Sequence, residues 1–484
     1  MNREQLIQSV QCYFDDGRFA ADLRRRVAWR TESDTGQSLP ALRGYLCDEI
    51  VPWLQPLGFD CEVLDNPEPP GGPLLLARRV EDPGLPTLLS YGHGDVVSGQ
   101  DSAWRAGLSP WELTIEGERW YGRGTADNKG QHSISLAALA HTLAARQGRL
   151  GYNVTLLMEM GEEAGSPGLA AFCTQHRAAL RADLLVACDG PRVHAERPTL
   201  FLGARGVMNF SLTVRCRDKA YHSGNWGGVL ANPATVLVHA LSTLVDAKGR
   251  ILVQCLLPPA MPEKLRTALQ DIAIGTGADD PVLTPGWGEP GLTAAQRLVG
   301  WNTLELLALG AGSAQRPVNA IAPHAVAHCQ LRFVVGTDWR NALAGLRQHL
   351  DAQGFGDVAI TPAMAYGATR LDLNNPWVDW TLASIRRSTG QVPTLLPNLA
   401  GSLPNEVFAD ILGLPTLWLP HSYPACAQHA PNEHLLAPVA REGLAMMAGL
   451  FWDLGEAPGT PWEEGRLDGA RASGMALPSC VPCQ

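Results

Sequence analysis

The sequence lacks the features that mark several large classes of protein. No uninterrupted apolar run approaches the ~20 residues that a membrane span needs, and the opening Met1-Asn2-Arg3-Glu4-Gln5 has no apolar secretory core. A soluble, cytoplasmic protein with no membrane partner is expected. There is no Lys/Arg-rich stripe beyond Arg24, Arg25 and Arg26, and the formal charge is -10, so nucleic acid is not an expected partner. Nor is there a disulfide framework: the 11 cysteines are odd in number and scattered, as reduced thiols of a cytosol would be. Cys480 and Cys483 form a single C-x-x-C without a second pair or a nearby His, and read as an unliganded tail rather than a zinc site. Internal repeats and low-complexity blocks are missing too, the 50 Gly and 36 Pro being spread along the chain. What is present is an ordinary globular composition, 45% hydrophobic and 18% charged. At 484 residues the chain exceeds what one core usually holds, so two domains are expected.

Three apolar runs share a pattern. Thr87 to Tyr91 leads to His93, Val154 to Met160 leads to Glu162, and Leu184 to Cys188 leads to Asp189. Helical spacing separates them, at Gln131 to Arg146 and at Gly168 to Arg181, the latter opened by Ser166-Pro167. Strand alternating with helix is the α/β signature, and in such sheets ligands gather outside the carboxyl ends of the strands, where these polar residues fall. After about Gly206 the texture changes. Ser211 to Cys216 and Val326 to Val335 alternate like half-exposed strands, and Asn232 to Ala247 and Trp339 to Gln353 read as amphipathic helices. The Pro/Gly-rich stretch Pro258 to Thr293 reads as an irregular excursion of this inserted module. From about Leu371 the α/β texture returns, with a helix near Trp377 to Ser388, a strand at Pro415 to Leu419 and a His-containing loop.

The chemistry-bearing residues cluster at those strand ends. Alone, His93-Gly94-Asp95 is more often a turn than a metal site, with Gly94 keeping it tight. The loop Gly122-Arg123-Gly124-Thr125-Ala126-Asp127-Asn128-Lys129-Gly130 sets an acid before a helix and has neither the P-loop nor the dinucleotide spacing. Glu162-Glu163 could be solvated surface, but its place between an apolar strand and Gly165-Ser166-Pro167 argues for a pocket. Adjacent carboxylates repel there unless one binds metal and the other handles a proton. Together His93, Asp127, Glu163, Asp189 and a late His offer two imidazoles and three carboxylates, a donor set suited to zinc, manganese or cobalt. Two divalent cations about 3.5 to 4 Å apart need an anionic bridge, which Asp127 and a hydroxide would supply.

These residues resemble the M20 metallopeptidases and amidohydrolases, a family that includes carnosinase-like dipeptidases, aminoacylases and glutamate carboxypeptidases. The resemblance covers nearly the whole chain. It rests on Gly92-His93-Gly94-Asp95, the segment Tyr121 to Gly130, Glu162-Glu163 with Gly165-Ser166, Asp189, and Gln428-His429-Ala430-Pro431-Asn432-Glu433. The fold it implies is α/β: a discontinuous di-metal catalytic domain with a mixed sheet, residues 1–207 and 368–484, and an inserted α+β, ferredoxin-like lid and dimerisation domain, residues 208–367. It further implies two divalent ions per chain, zinc first, with manganese or cobalt as alternatives. His93 and Asp189 would bind one, Glu163 and His429 the other, and Asp127 would bridge them, with a cis peptide after it. Glu162 would be the general base on the bridging water, and Asp95 would orient His93. His222, in Tyr221-His222-Ser223-Gly224, would reach a partner subunit's site and stabilise the oxyanion. Asn319, Arg332, Gly401 and Ser402 would bind substrate, Arg332 as a fork for a carboxylate.

The resemblance prefers His429 over its neighbours His421 and His434, and leaves His132, His141, His324 and His328 to packing or surface roles. Two departures stand out: Val96-Val97-Ser98-Gly99-Gln100 replaces a segment where relatives commonly carry a Pro, and the insert is longer than a minimal lid. With Asp rather than Glu at position 189, these lean toward a dipeptidase. The expected reaction is hydrolysis of a small dipeptide or N-acyl amino acid with a free carboxylate, by a homodimer. The alternatives are a non-peptide amide or carbamoyl compound at the same site, and a metal-stabilised binding protein without catalysis.

Overall fold

The computed structural model describes residues 1–33, 39–69, 71–277, 280–456 and 460–462; the Cys480/Cys483 pair lies outside them. The chain divides into two compact units, one of Met1–Leu200, Leu371–Thr394 and the chain from Val407, the other of Phe201–Arg370 and Leu395–Glu406. Residues 395–406, whose sequence texture groups them with the flanking α/β segment, cluster with the insert.

The first unit is built on a mixed sheet of eight strands, in the order Asp60–Leu64, Leu74–Arg79, Asn153–Glu159, Thr87–His93, Leu184–Ala187, Thr416–Trp418, Thr199–Phe201 and Thr394–Leu396. Its centre is parallel: Thr87–His93 pairs in parallel with Asn153–Glu159 and Leu184–Ala187, and Thr416–Trp418 with Leu184–Ala187. Leu74–Arg79 and Asp60–Leu64 continue the sheet antiparallel. The central strands are apolar along their length because both faces are covered; every residue of Asn153–Glu159 is buried. Helix Lys129–Ala145 packs against Ala437–Leu454, which in turn contacts Arg3–Asp15 and Pro376–Thr389. Three helix ends are fixed by local chemistry. Asn2 and Gln5 form a capping box on Arg3–Asp15, and Pro376–Thr389 starts from an Asn375 cap with Pro at its first turn and stops at left-handed Gly390. Because the central strands are parallel, His93, Glu162-Glu163 and Asp189 all issue from one edge of the sheet. No described helix is long and apolar enough to cross a membrane.

The second unit carries a four-stranded antiparallel sheet in the order Thr303–Gly310, His324–Phe333, Gly206–Arg215, Ala359–Tyr366. With helices Pro233–Ser242 and Trp339–Ala352, the chain order is strand-helix-strand-strand-helix-strand, the ferredoxin-like arrangement. Phe210, Leu212, Ala327, Leu331, Leu237 and Leu346 lie in one core between sheet and helices. The period-2 burial of Gly206–Arg215 and His324–Phe333 follows from one covered face.

Three local expectations change. The helix expected over 168–181 is confined to Leu169–Gln175, and that over 232–247 ends at Ser242, where the Thr243 hydroxyl turns back to the Ala240 carbonyl. The excursion 258–293 is not wholly irregular: Glu263–Gln270 is a helix starting after Pro262, with Leu265 and Leu269 buried one turn apart.

Candidate metal centre

Strand ends and two loops of the first unit bring seven of the sequence-selected residues together. His93 closes its strand, and Gly94 behind it is required by space rather than by a left-handed turn. A Cβ there would lie 2.6 Å from the Tyr45 ring and 2.7 Å from the Met160 sulfur. In the next loop Gly124 takes φ 86, open to glycine, and a Cβ on Gly130 would sit 1.9 Å from the Thr125 carbonyl. Asp127 follows, with a cis bond to Asn128.

The Asp127 carboxylate divides between two imidazoles. Its Oδ1 is 3.1 Å from His93 Nε2 and its Oδ2 is 2.9 Å from His429 Nε2. On one side His93 Nε2 is also 3.6 Å from Asp189 Oδ2; on the other His429 Nε2 is 3.0 Å from Glu163 Oε2. Each trio, His93/Asp127/Asp189 and Asp127/Glu163/His429, has its donor atoms within 4.8 Å of one another. Glu162 Oε2 stands 4.0 Å from His93 Nε2. Asp95 does more than face His93, whose Nδ1 is 3.4 Å from its Oδ1 and 3.1 Å from its carbonyl. Its carboxylate accepts the backbone N–H groups of Glu162 at 3.2 Å and Glu163 at 3.0 Å and the Ser33 hydroxyl at 2.7 Å, so it fixes the turn carrying both glutamates.

The competing histidines lie elsewhere. His434 Nε2 is 2.5 Å from the Tyr423 hydroxyl, His421 is buried against Gly443, and His132 is held by Tyr45 and the His93 carbonyl. His141 meets Ser9, and His328 meets Ser211.

Burial and mutual repulsion drive the electrostatics. Burial first, and then the charges of Asp189, Glu163 and Asp127, hold Glu162 well above the usual carboxylate range against the pull of His93. Glu163 is pushed up to about 7 by burial and by the Asp127 charge, and Asp189 to about 6 by the same two causes. Asp127 goes the other way: burial opposes its charge, but hydrogen bonds with His429 and His93 keep it well below the usual range. His429 is raised to about 11, chiefly by its bonds to Asp127 and Glu163.

Such a carboxylate cluster suits cations. Asp189 Oδ2 and Glu163 Oε1 are buried without a hydrogen-bond partner, an arrangement that is costly unless a positive ligand completes it. The separations fit as well. Two donors about 2.0–2.1 Å from one tetrahedral ion stand about 3.3 Å apart, and here the pairs lie between 2.9 and 3.6 Å.

The five remaining sequence-selected residues belong to the second unit, where they form two local groupings. His222 pairs across a two-residue ladder with Ala320, and Ser223 N–H donates to the Asn319 carbonyl at 2.9 Å; both His222 and Asn319 are exposed. Arg332 Nη1 donates to Ser402 Oγ at 2.9 Å, next to Gly401, and Ser402 donates onward to the Arg205 carbonyl at 2.7 Å. Sequence reasoning missed Gln428, whose amide donates to Asp127 Oδ2, and the buried Glu433, which accepts backbone N–H groups from the Asp127 loop. The signal for Gln428 was its nearness to His429, and for Glu433 its place in the motif that follows His429.

Residues 89–453 match the family model "Peptidase family M20/M25/M40". A Beta-Ala-His dipeptidase of Mus musculus is 34% identical over 264 residues, 52% of this chain and 52% of the relative. A Cys-Gly metallodipeptidase of Schizosaccharomyces pombe is 33% identical over 196 residues, 39% of this chain and 40% of the relative. This chain thus spans about half the length, or less, of those relatives. The crystal structure of human carnosine dipeptidase 1 superposes with a TM-score of 0.77 at 22% identity, covering 94% of this chain and 99% of the other, a likeness of fold.

Proposed function

The chain belongs to peptidase family M20/M25/M40, and from that premise we propose that it is a two-metal hydrolase that cuts the amide bond of a small dipeptide or N-acyl amino acid with a free carboxylate. The observation that carries this reading is the division of one carboxylate, Asp127, between His93 and His429. In the proposed site His93 and Asp189 hold one ion, Glu163 and His429 the other, and Asp127 serves both; the mixed nitrogen and oxygen donors favour zinc, with manganese or cobalt as alternatives. A bound pair of divalent cations supplies Lewis-acid polarisation of the scissile carbonyl and lowers the pKa of the attacking water.

The chain's own residues do the rest. Glu162, its side chain 17% exposed beside His93, takes the proton of the attacking water and returns it to the leaving amine. Asp95 keeps Glu162 in reach by holding its amide. Arg332 with Ser402 and Gly401 receives the substrate carboxylate, with Asn319 beside the ladder that carries His222. His222 is a donor to the developing oxyanion. Its Nδ1 accepts the Gly224 N–H at 3.1 Å, so the neutral ring keeps its proton on Nε2.

His222 acts in the site of a second copy. The edge strand Thr303–Gly310 supports such a homodimer, since it pairs on one side only among the described residues and leaves Leu306, Leu307 and Leu309 exposed. Cytoplasmic residence is consistent with every described cysteine being a free thiol.

The test is a panel of dipeptides, N-acetyl amino acids and carbamoyl compounds with the zinc- and manganese-reconstituted protein. Turnover is expected in the first two classes; turnover confined to carbamoyl compounds transfers the site to that chemistry. Glu162→Ala is expected to keep its metal and turn over at least ~100-fold more slowly, and near-normal turnover would remove Glu162 from its role.

A further inference from the structure

Two loops that are remote in sequence meet at Asp127, and the Glu433 side chain makes more of the bonds between them than any other. Glu433 is only 1% exposed. Its Oε1 accepts the N–H groups of Gly124 at 3.0 Å, Ala126 at 2.9 Å and Asp127 at 3.0 Å, and its Oε2 accepts Gly124 N–H at 3.1 Å and Arg123 Nη1 at 2.8 Å. The Glu433 carbonyl also accepts the Gly122 N–H at 3.1 Å. A carboxylate gripped by several amides of one short segment fixes that segment's backbone, and hydrogen bonds to a charged acceptor are the stronger kind. Asp127 therefore cannot swing away without breaking one of those bonds.

The loop on Glu433's own side needs a fixed point. Ala427, His429 and Asn432 have φ of 57, 60 and 65, conformations that side chains other than glycine resist, and the loop's internal bonds are short-range, Ala430 N–H to the Ala427 carbonyl at 3.0 Å and His434 N–H to the Cys426 carbonyl at 2.9 Å. Apart from Glu433 and the His429 imidazole, its outward ties are the Gln428 amide to Asp127 Oδ2, Gln100 Nε2 to the His429 carbonyl at 3.2 Å, Arg105 N–H to Asn432 Oδ1 at 2.8 Å, and Arg123 Nη1 to the Ala430 carbonyl at 3.2 Å. His93, by contrast, closes a paired strand, and Asp189 follows two residues after the paired strand Leu184–Ala187.

We infer that Glu433 is a positioning residue that locks the Asp127 loop to the His429 loop, and thereby forms the second of the two cation positions, the one made by Asp127, Glu163 and His429. The inference rests on the two-cation reading above. Removing the carboxylate should cost the second position far more than the first, because His93 and Asp189 keep their places without it.

The test compares wild type with Glu433→Gln, which preserves size and loses the charge and one acceptor. Titration of metal-free protein with Co2+ is expected to show two ions per chain in wild type. In Glu433→Gln one ion should bind within ~3-fold of its wild-type affinity and the other at least ~30-fold more weakly. Independently of any metal, amide hydrogen exchange at Gly124, Ala126 and Asp127 should speed up at least ~10-fold in the variant while the sheet amides of Thr87–His93 stay protected. Two ions bound as in wild type, or unchanged exchange, overturns the proposal. If Glu433→Gln does not fold, the same measurements on Glu433→Asp decide, with a smaller but same-sided loss expected. Arg123→Met removes the ion pair together with the Ala430 bond and leaves the amide clamp, so it should retain both ions with at most a small loss at the second; a selective loss there as large as in Glu433→Gln overturns the clamp. A wild-type protein that binds no pair of Co2+ sinks the two-cation reading instead, and the metal-free exchange result still decides what Glu433 does.

Discussion

The two sides of Asp127 are built in opposite ways. On one side His93 ends one of two adjacent parallel strands and Asp189 follows two residues after the other, and they are 0% and 2% exposed. On the other, Glu163 sits on a one-turn 3-10 helix and His429, its side chain 53% exposed, on a loop with three non-glycine residues at positive φ. The sheet holds the first position, whereas the second depends on long-range hydrogen bonds between loops. A site can thus be rigid on one side and adjustable on the other while sharing one carboxylate.

The comparison can be broken most severely at the shared group. Asp127→Ala is expected to abolish both ion positions and to lower kcat/KM at least ~1000-fold, about 4 kcal/mol of transition-state stabilisation; calorimetry that still finds one tight ion would show that the halves are independent. The next largest contrast is in the metal-free fold. His93→Ala should lower unfolding stability by about 2–3 kcal/mol, since it opens a buried space and leaves Asp95 and Asp189 without their imidazole, whereas His429→Ala at the half-exposed loop should stay within about 0.5 kcal/mol. Denaturant melts of the two variants measure this directly, and equal losses would erase the distinction. Chelator should then strip the protein in two phases, the loop-side ion leaving about 10-fold faster; a single phase in stopped-flow chelation contradicts that order. The smallest effect belongs to Gln100→Ala, which cuts one exposed hydrogen bond to the His429 carbonyl. It should weaken only the loop-side ion, by about 3-fold, in line with the modest net value of such a bond.

What the sequence made legible follows the same division. The apolar runs ending at His93, Glu162-Glu163 and Asp189 announce parallel strands with polar ends, because both the burial and the chemistry are written in side chains. Two strands and two helices of the insert were readable for the same reason, although the strand expected at Ser211 to Cys216 spans Gly206–Arg215. The N-terminal helix Arg3–Asp15 and the edge strands Thr303–Gly310 and Ala359–Tyr366 were not, the last two because their largely exposed faces leave no clean alternation. The helix Glu263–Gln270 was hidden by the Pro and Gly around it. Glu433 was readable only as part of a motif, since its partners are backbone N–H groups, which every sequence has and none displays. Gln428 was passed over because only the loop conformation turns its amide toward Asp127.

The place of Thr416–Trp418 in the sheet has a consequence for biosynthesis. That strand lies directly beside Leu184–Ala187, so a chain growing on the ribosome leaves one flank of its central parallel layer bare until translation has passed Trp418. Through that interval the nascent first unit presents an apolar, unpaired strand to whatever else is nearby, and the whole insert must emerge before the gap is filled. An unpaired apolar strand of that kind is a template for association with other chains.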